Sequence, residues 1–154
     1  MRIGVPKEIK VEEYRVGMTP GIAHMLVLDG AEVVVETQAG AGLGFSDADY
    51  EAAGAKVLPS ADAVFESADM IVKVKEPQAV EIARLEARHV LFTYLHLAAD
   101  KSQAEGLMKA GCTAIAYETV TDRAGRLPLL APMSQVAGRM AVDVGANALL
   151  RPNG

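Results

Sequence analysis

The sequence predicts an α/β fold: a mostly parallel sheet with helices on both faces, of flavodoxin or Rossmann type. Three observations carry that expectation. Short β-rich runs alternate with helical stretches along 154 residues, a length that suits one domain with a proper core. Half of the residues are hydrophobic, rich in Ala, Val and Leu and without Trp, which suits helices packed closely on a parallel sheet. The helical stretches also carry their own start and stop residues.

Residues 2–5 form the first run. Thr19 then stands as an N-cap with Pro20 at the first helical position, and Gly30 closes that helix. Residues 31–36 and 56–58 are the second and third runs. Between them Ser46-Asp47-Ala48-Asp49 is a capping box with Asp in the Glu position, opening a short helix that stops near Gly54. Ser60 opens another helix, and residues 70–75 and 90–94 are the fourth and fifth strands. Asp100 opens a helix ending at Gly111, before a sixth strand over residues 113–117. Cys112 at its head reads as a small core residue, and one cysteine can build neither a disulfide framework nor a thiolate metal site.

From Leu127 the pattern changes. Leu127-Pro128-Leu129-Leu130-Ala131-Pro132 is a two-proline apolar connector, and Ser134 reads most simply as the N-cap of a helix rich in small residues. A helix of about 16 residues spans about 24 Å, enough to run toward another domain. Arg151-Pro152-Asn153-Gly154 then reads as a helix stop.

The net charge of −5, without basic clusters, argues against a nucleic-acid or anionic-membrane surface. No apolar run reaches the ~18 residues that span a bilayer, and the N-terminus lacks a signal peptide's long apolar stretch. A soluble, cytoplasmic protein is the expectation.

Open parallel sheets bind ligands outside the carboxyl ends of their strands, where loops leave a crevice. Arg15, Lys75, His96 and Glu118 all follow strands at that edge. Arg15 offers a planar fork for a carboxylate and Lys75 a point charge for the same anion, so together they suggest an anionic substrate. His96 supplies an imidazole that can take a proton from water or an amine and return it. Plainer readings stand beside these: Arg15 pairing with a neighbouring glutamate, Lys75 as a solvated charge, His96 and Glu118 as structural residues. Side chains two apart on a strand share a face, so Lys73 accompanies Lys75 and Tyr94 accompanies His96. A buried strand cannot hide both lysines without anionic partners.

Gly40-Ala41-Gly42-Leu43-Gly44 invites comparison with a dinucleotide fingerprint, but Phe45 stands where G-x-G-x-x-G needs its third glycine, and an acidic helix follows. It reads as a turning loop, and no other match exists in the chain.

Residues 2–10, 14–20, 72–77, 91–99, 114–119 and 128–134 together resemble the N-terminal part of bacterial alanine dehydrogenase, and the likeness runs almost end to end. The related transhydrogenase subunit shares the opening strand and the arginine loop but not Tyr94-Leu95-His96. The resemblance implies reversible, NAD-dependent oxidative deamination of L-alanine to pyruvate and ammonia. It assigns carboxylate binding to Arg15 and Lys75, acid/base duty to His96 and cofactor contact to Ser134, in a homo-oligomer, commonly a hexamer. Residues 1–130 would be the substrate domain and 131–154 a connecting helix toward an NAD-binding domain that lies outside this chain. The isolated chain is then not expected to turn over alone. Gln135 and the unusual segment Gly21-Ile22-Ala23-His24-Met25 depart from the family pattern outside the assigned site. Two other classes stay open: a transhydrogenase-like nucleotide-binding domain, and a non-catalytic binding or assembly module.

Overall fold

The computed structural model describes residues 1–150. The expected helix stop at residues 151–154 lies outside them. The described chain divides into two compact units, one covering Met1–Ala116 and one beginning at Tyr117.

The first unit is built on six strands: β1 (Arg2–Val5), β2 (Glu32–Glu36), β3 (Lys56–Leu58), β4 (Met70–Val72), β5 (Val90–Thr93) and β6 (Thr113–Ala116). Every pairing is parallel, and the order is β3-β2-β1-β4-β5-β6. The chain winds outward from β1 in one direction and then, from β4, in the other. The order therefore reverses between β1 and β4, the position where doubly wound sheets open a ligand crevice.

The helices are α1 (Pro20–Leu28), α2 (Asp47–Ala52), α3 (Ala61–Ser67), α4 (Ala79–Ile82) and α5 (Lys101–Ala110). Strand alternation sends successive side chains to opposite faces, which divides the core in two. Ile3, Val5, Val33, Val35 and Val72 pack with Ala23 of α1 and Tyr50 of α2. On the other face Val34, Ile71 and Leu91 pack with Val64 and Phe65 of α3 and Leu107 of α5. The expected double-sided cover is therefore present. Cys112 packs, partly buried, against the second cluster, as its apolar neighbourhood suggests.

Most helix signals operate as read. Ser46 Oγ accepts the Asp49 N–H while Asp49 Oδ2 accepts the Ser46 N–H, completing the capping box. Ser60 and Asp100 cap α3 and α5 by accepting the amides of Ala63 and Gln103. Thr19 occupies the N-cap of α1 but makes no side-chain cap bond, so Pro20 alone sets that entry. α4 was not legible, because a four-residue helix has no apolar period to detect.

Two boundaries differ from expectation by more than one residue. The fourth strand stops at Val72 instead of continuing to Lys75. Its ladder with β5 does run on, from the Lys73 N–H to the Phe92 carbonyl, but the Val74 N–H turns to a carboxylate of Glu8. In the second unit, α6 (Ala131–Ala148) begins three residues before Ser134. The proline of that connector is tolerated inside the first turn, where amides lack intrahelical partners in any case. Ser134 is thus not the N-cap: its amide and, at 3.3 Å, its hydroxyl both donate to the Leu130 carbonyl. Sequence alone misplaces it because Ser is common at caps and the two prolines before it read as a connector.

Candidate active site

The site begins with the long loop between β1 and α1, residues 6–19. Gly17 lets this loop lie against the end of β4: a Cβ there would stand 2.5 Å from the Val72 carbonyl oxygen. Gly42 performs the same service on the loop's other side, since its Cβ would collide with the Tyr14 carbonyl oxygen. Residues 41–43 form a single 3-10 turn. Gly42 therefore serves close backbone packing beside Arg15, Gly40 leaves room for the Phe45 and Tyr50 side chains, and Gly44 takes a left-handed φ of 81°.

Within the loop, Arg15 is gripped by Glu13. Its Nε donates to Glu13 Oε1 at 2.8 Å, its Nη2 to Oε2 at 2.6 Å, and its backbone amide to Oε1 at 2.9 Å. The plainer reading of Arg15, a neighbouring glutamate as partner, is thus realised, although the guanidinium stays over a third exposed. These bonds hold the Glu13 carboxyl below its ordinary range, with the charge of Lys75 adding to the effect. Arg15 in turn is held protonated more firmly, chiefly by Glu13 and also by Tyr94 and Glu8.

Lys73 and Lys75 do not share a rim. Lys75 is partly exposed, whereas the Lys73 side chain is 1% exposed and ion-paired with Glu8 and Glu81. The sequence placed both on one strand face; termination of β4 at Val72 is what separates them. Anionic partners for the buried lysine were expected as a type, and Glu8 and Glu81 supply them.

The end of β5 completes the edge. Thr93 Oγ1 donates to the Lys75 carbonyl at 2.8 Å, and the Tyr94 amide to the Val74 carbonyl at 3.2 Å, tying the two strand ends together. The Tyr94 and His96 rings are stacked, with centroids 6.1 Å apart and planes 18° from parallel. Both residues lie beyond the end of β5 at Thr93, so the ring contact is made by the segment after the strand and not by strand alternation. His96 itself is exposed and has a left-handed backbone, φ 49° and ψ 37°. An L-residue in that region is strained, and such strain persists only where the surroundings impose it. Here Gln103 of α5 does so in part, its buried Nε2 donating to the Leu95 carbonyl at 2.7 Å.

His89, by contrast, is a core residue. Its Nδ1 accepts the Glu86 N–H and its Nε2 reaches the Phe65 carbonyl at 2.9 Å, a pairing that fixes the tautomer. A cleft of about 480 Å³ opens between the entry to α4 and the first turns of α5, lined in part by Glu76, Gln78, Asp100 and Gln103. None of Arg15, Lys75 and His96 lines it. Glu118 lies in a 3-10 turn, Tyr117–Thr119, of the second unit, which also holds Ser134. Among the described residues no group of His, Cys, Asp and Glu could hold a metal ion, and no helix is long and apolar enough to cross a membrane.

The fold is that of a doubly wound α/β domain, and Arg15, Lys75 and His96 lie in the segments that follow β1, β4 and β5. The chain belongs to the family described as alanine dehydrogenase/PNT, N-terminal domain, whose model matches residues 4–137. An alanine dehydrogenase of Halomonas elongata is 57% identical over the whole chain, which covers 42% of that relative. A solved L-alanine dehydrogenase structure superposes with a TM-score of 0.91 at 53% identity, again over the whole chain and 42% of the other. The transhydrogenase of Sinorhizobium meliloti matches 80% of the chain at 31% identity with a TM-score of 0.73, and is matched over 36% of its own length. The chain thus spans well under half the length of these relatives.

Proposed function

We propose that the chain, with residues 1–130 as its substrate domain and the helix from residue 131 as a connection, is the substrate-binding part of an L-alanine dehydrogenase. What supports this is family membership together with the position of Arg15, Lys75 and His96 in the segments that follow three neighbouring strands of one parallel sheet, β1, β4 and β5. Arg15 and Lys75 hold the carboxylate of L-alanine or pyruvate, a positioning effect that fixes which face Cα presents. His96 takes and returns the protons exchanged when water adds to the imine and ammonia leaves.

NAD, with Ser134 as a contact, belongs to the same proposal. The described first unit does not fit a dinucleotide by itself: β1 leads into a fourteen-residue loop (6–19) in place of a tight glycine turn, and that loop carries Glu8 and Glu13. The share of the first unit is therefore confined to the substrate, and Ser134 of the second unit is the chain's contact with NAD. Homo-oligomeric, commonly hexameric, assembly and a cytoplasmic location complete the proposal, as implied by the family.

The transhydrogenase-like alternative is the weaker one, given its lower identity and coverage. The test joins the chain to the remaining portion of an alanine dehydrogenase relative and follows NADH formation with L-alanine. Activity should appear, and His96→Ala should lower it by roughly 10²- to 10⁴-fold, the usual contribution of a placed acid/base. Full activity in that variant would refute the role of His96. Calorimetry on the chain alone separates the alternatives, because pyruvate uptake without NAD uptake supports the substrate reading and the reverse supports a nucleotide domain.

A further inference from the structure

Beneath the exposed edge lies an ion cluster that the proposed chemistry does not use. Lys73 Nζ stands 2.7 Å from Glu81 Oε1 and 3.2 Å from Glu8 Oε2, and the three side chains are almost wholly enclosed. The remaining carboxylate oxygens are committed too. Glu8 Oε1 accepts the Val74 N–H at 2.7 Å, and Glu81 Oε2 accepts the Gln78 N–H at 2.8 Å. One ammonium thus joins three pieces of chain: the loop after β1, the end of β4 and the first turn of α4.

Removing three charges from water is costly, and a buried ion pair is weak evidence for stability in itself. Its consequence lies in what it holds. Between Val72 and Ala79 the chain has no regular secondary structure, yet this is where Lys75 sits. The Val74 amide is held by Glu8, the Val74 carbonyl by the Tyr94 amide, and the Lys75 carbonyl by Thr93. The backbone on either side of the Lys75 Cα is therefore fixed although β4 itself ends at Val72. Glu8 belongs to the same loop as Arg15 and contributes to that residue's field.

We propose that Lys73, with Glu8 and Glu81, is a positioning residue: the buried clip fixes the backbone at Val74–Lys75 relative to the Arg15 loop, so that the Lys75 ammonium meets a carboxylate without first ordering its own segment. The proposal rests on the reading of Lys75 as a substrate-carboxylate group. It adds three residues that touch no substrate and act through Lys75. The clip also explains why a second lysine stands two residues before the first: it is an internal tie, not a second ligand.

The test uses the full chain with pyruvate as probe, and hydrogen exchange of single amides as an independent measure. Glu8→Ala removes the acceptor, so exchange at Val74 should quicken about tenfold relative to core amides such as Val35, with a comparable loss of pyruvate affinity. Glu8→Gln keeps a carbonyl oxygen for the Val74 N–H and should restore most of the protection; general destabilisation would not discriminate in this way. Should Glu8→Ala fail to fold, Glu81→Gln is compared at Gln78 and Val74 instead. Exchange at Val74 that rises only in step with Val35, or that Glu8→Gln leaves as fast as Glu8→Ala, overturns the clip. A wild-type chain that takes up no pyruvate sinks the substrate reading, and the exchange comparison then decides the clip by itself.

Discussion

Gly17→Ala tests the packing that brings Arg15 to the end of β4. A Cβ at this position would lie 2.5 Å from the Val72 carbonyl oxygen, 2.9 Å from its carbon and 3.0 Å from the Lys73 Cα. All three are backbone atoms, so no side chain can rotate out of the way. A carbon needs about 3.3 Å from a carbonyl oxygen, hence the loop and the strand end must part by roughly 0.8 Å. Overpacking of this kind costs about 1–3 kcal/mol. Gly17 is not among the residues with positive φ, so the penalty is one of space and not of backbone conformation. With a urea m-value near 2 kcal/mol/M, the unfolding midpoint should fall by about 0.5–1.5 M, read by circular dichroism. Pyruvate affinity should fall with it, because Arg15 moves away from Lys75. Gly21→Ala is the matched control: its Cβ would meet nothing within 4 Å, and removing a glycine from α1 should stabilise by about 0.5–1 kcal/mol. A Gly17→Ala midpoint equal to or above that of the wild type would refute the close approach and the placement of the Arg15 loop.

Leu91, fully buried in the second core cluster, should cost about 2–5 kcal/mol on replacement by Ala, measured in the same urea titration. Ser46→Ala deletes one arm of the capping box of α2 and should cost about 1 kcal/mol, with the loss reduced in Ser46→Gly. Two carboxylates give stability of opposite pH dependence. Glu13, held low by Arg15, stabilises above the ordinary carboxylate range and loses that contribution as pH falls through its lowered value. Glu8, pushed up by burial, stabilises at acid pH and loses its contribution as pH rises through its raised value. Unfolding midpoints measured from about pH 3 to 7 should therefore fall less steeply toward acid in Glu13→Gln and more steeply in Glu8→Gln. Parallel profiles for the two variants would contradict both assignments.

Much of the architecture was legible because its signals are local. A short apolar run bounded by turns declares a strand wherever it lies, and Ser46, Ser60 and Asp100 cap helices through amides three residues away. The candidate site rests on a related argument: in a parallel sheet every strand end faces the same edge, so the segments after β1, β4 and β5, which carry Arg15, Lys75 and His96, are expected there whatever the strand order. Two-residue spacing also brought Tyr94 and His96 together on paper, but β5 ends at Thr93 and the stacked rings are set by the segment that follows it.

Other features were set by pairings across the chain. Glu8 meets Lys73 only because β1 and β4, far apart in sequence, lie side by side in the order β3-β2-β1-β4-β5-β6. Spacing alone put Lys73 beside Lys75; β4 ends at Val72, Lys73 pairs with buried Glu8 and Glu81, and Lys75 stays partly exposed. The left-handed backbone of His96 likewise carries no sequence mark, since it depends on what surrounds the end of β5, including Gln103. Sequence by itself determined which residues are apolar, which cap and which end a strand, because those are properties of a residue and its near neighbours. Tertiary structure decided which charges are buried together and which stand at the edge, because desolvation and ion pairing depend on neighbours that only the completed sheet supplies.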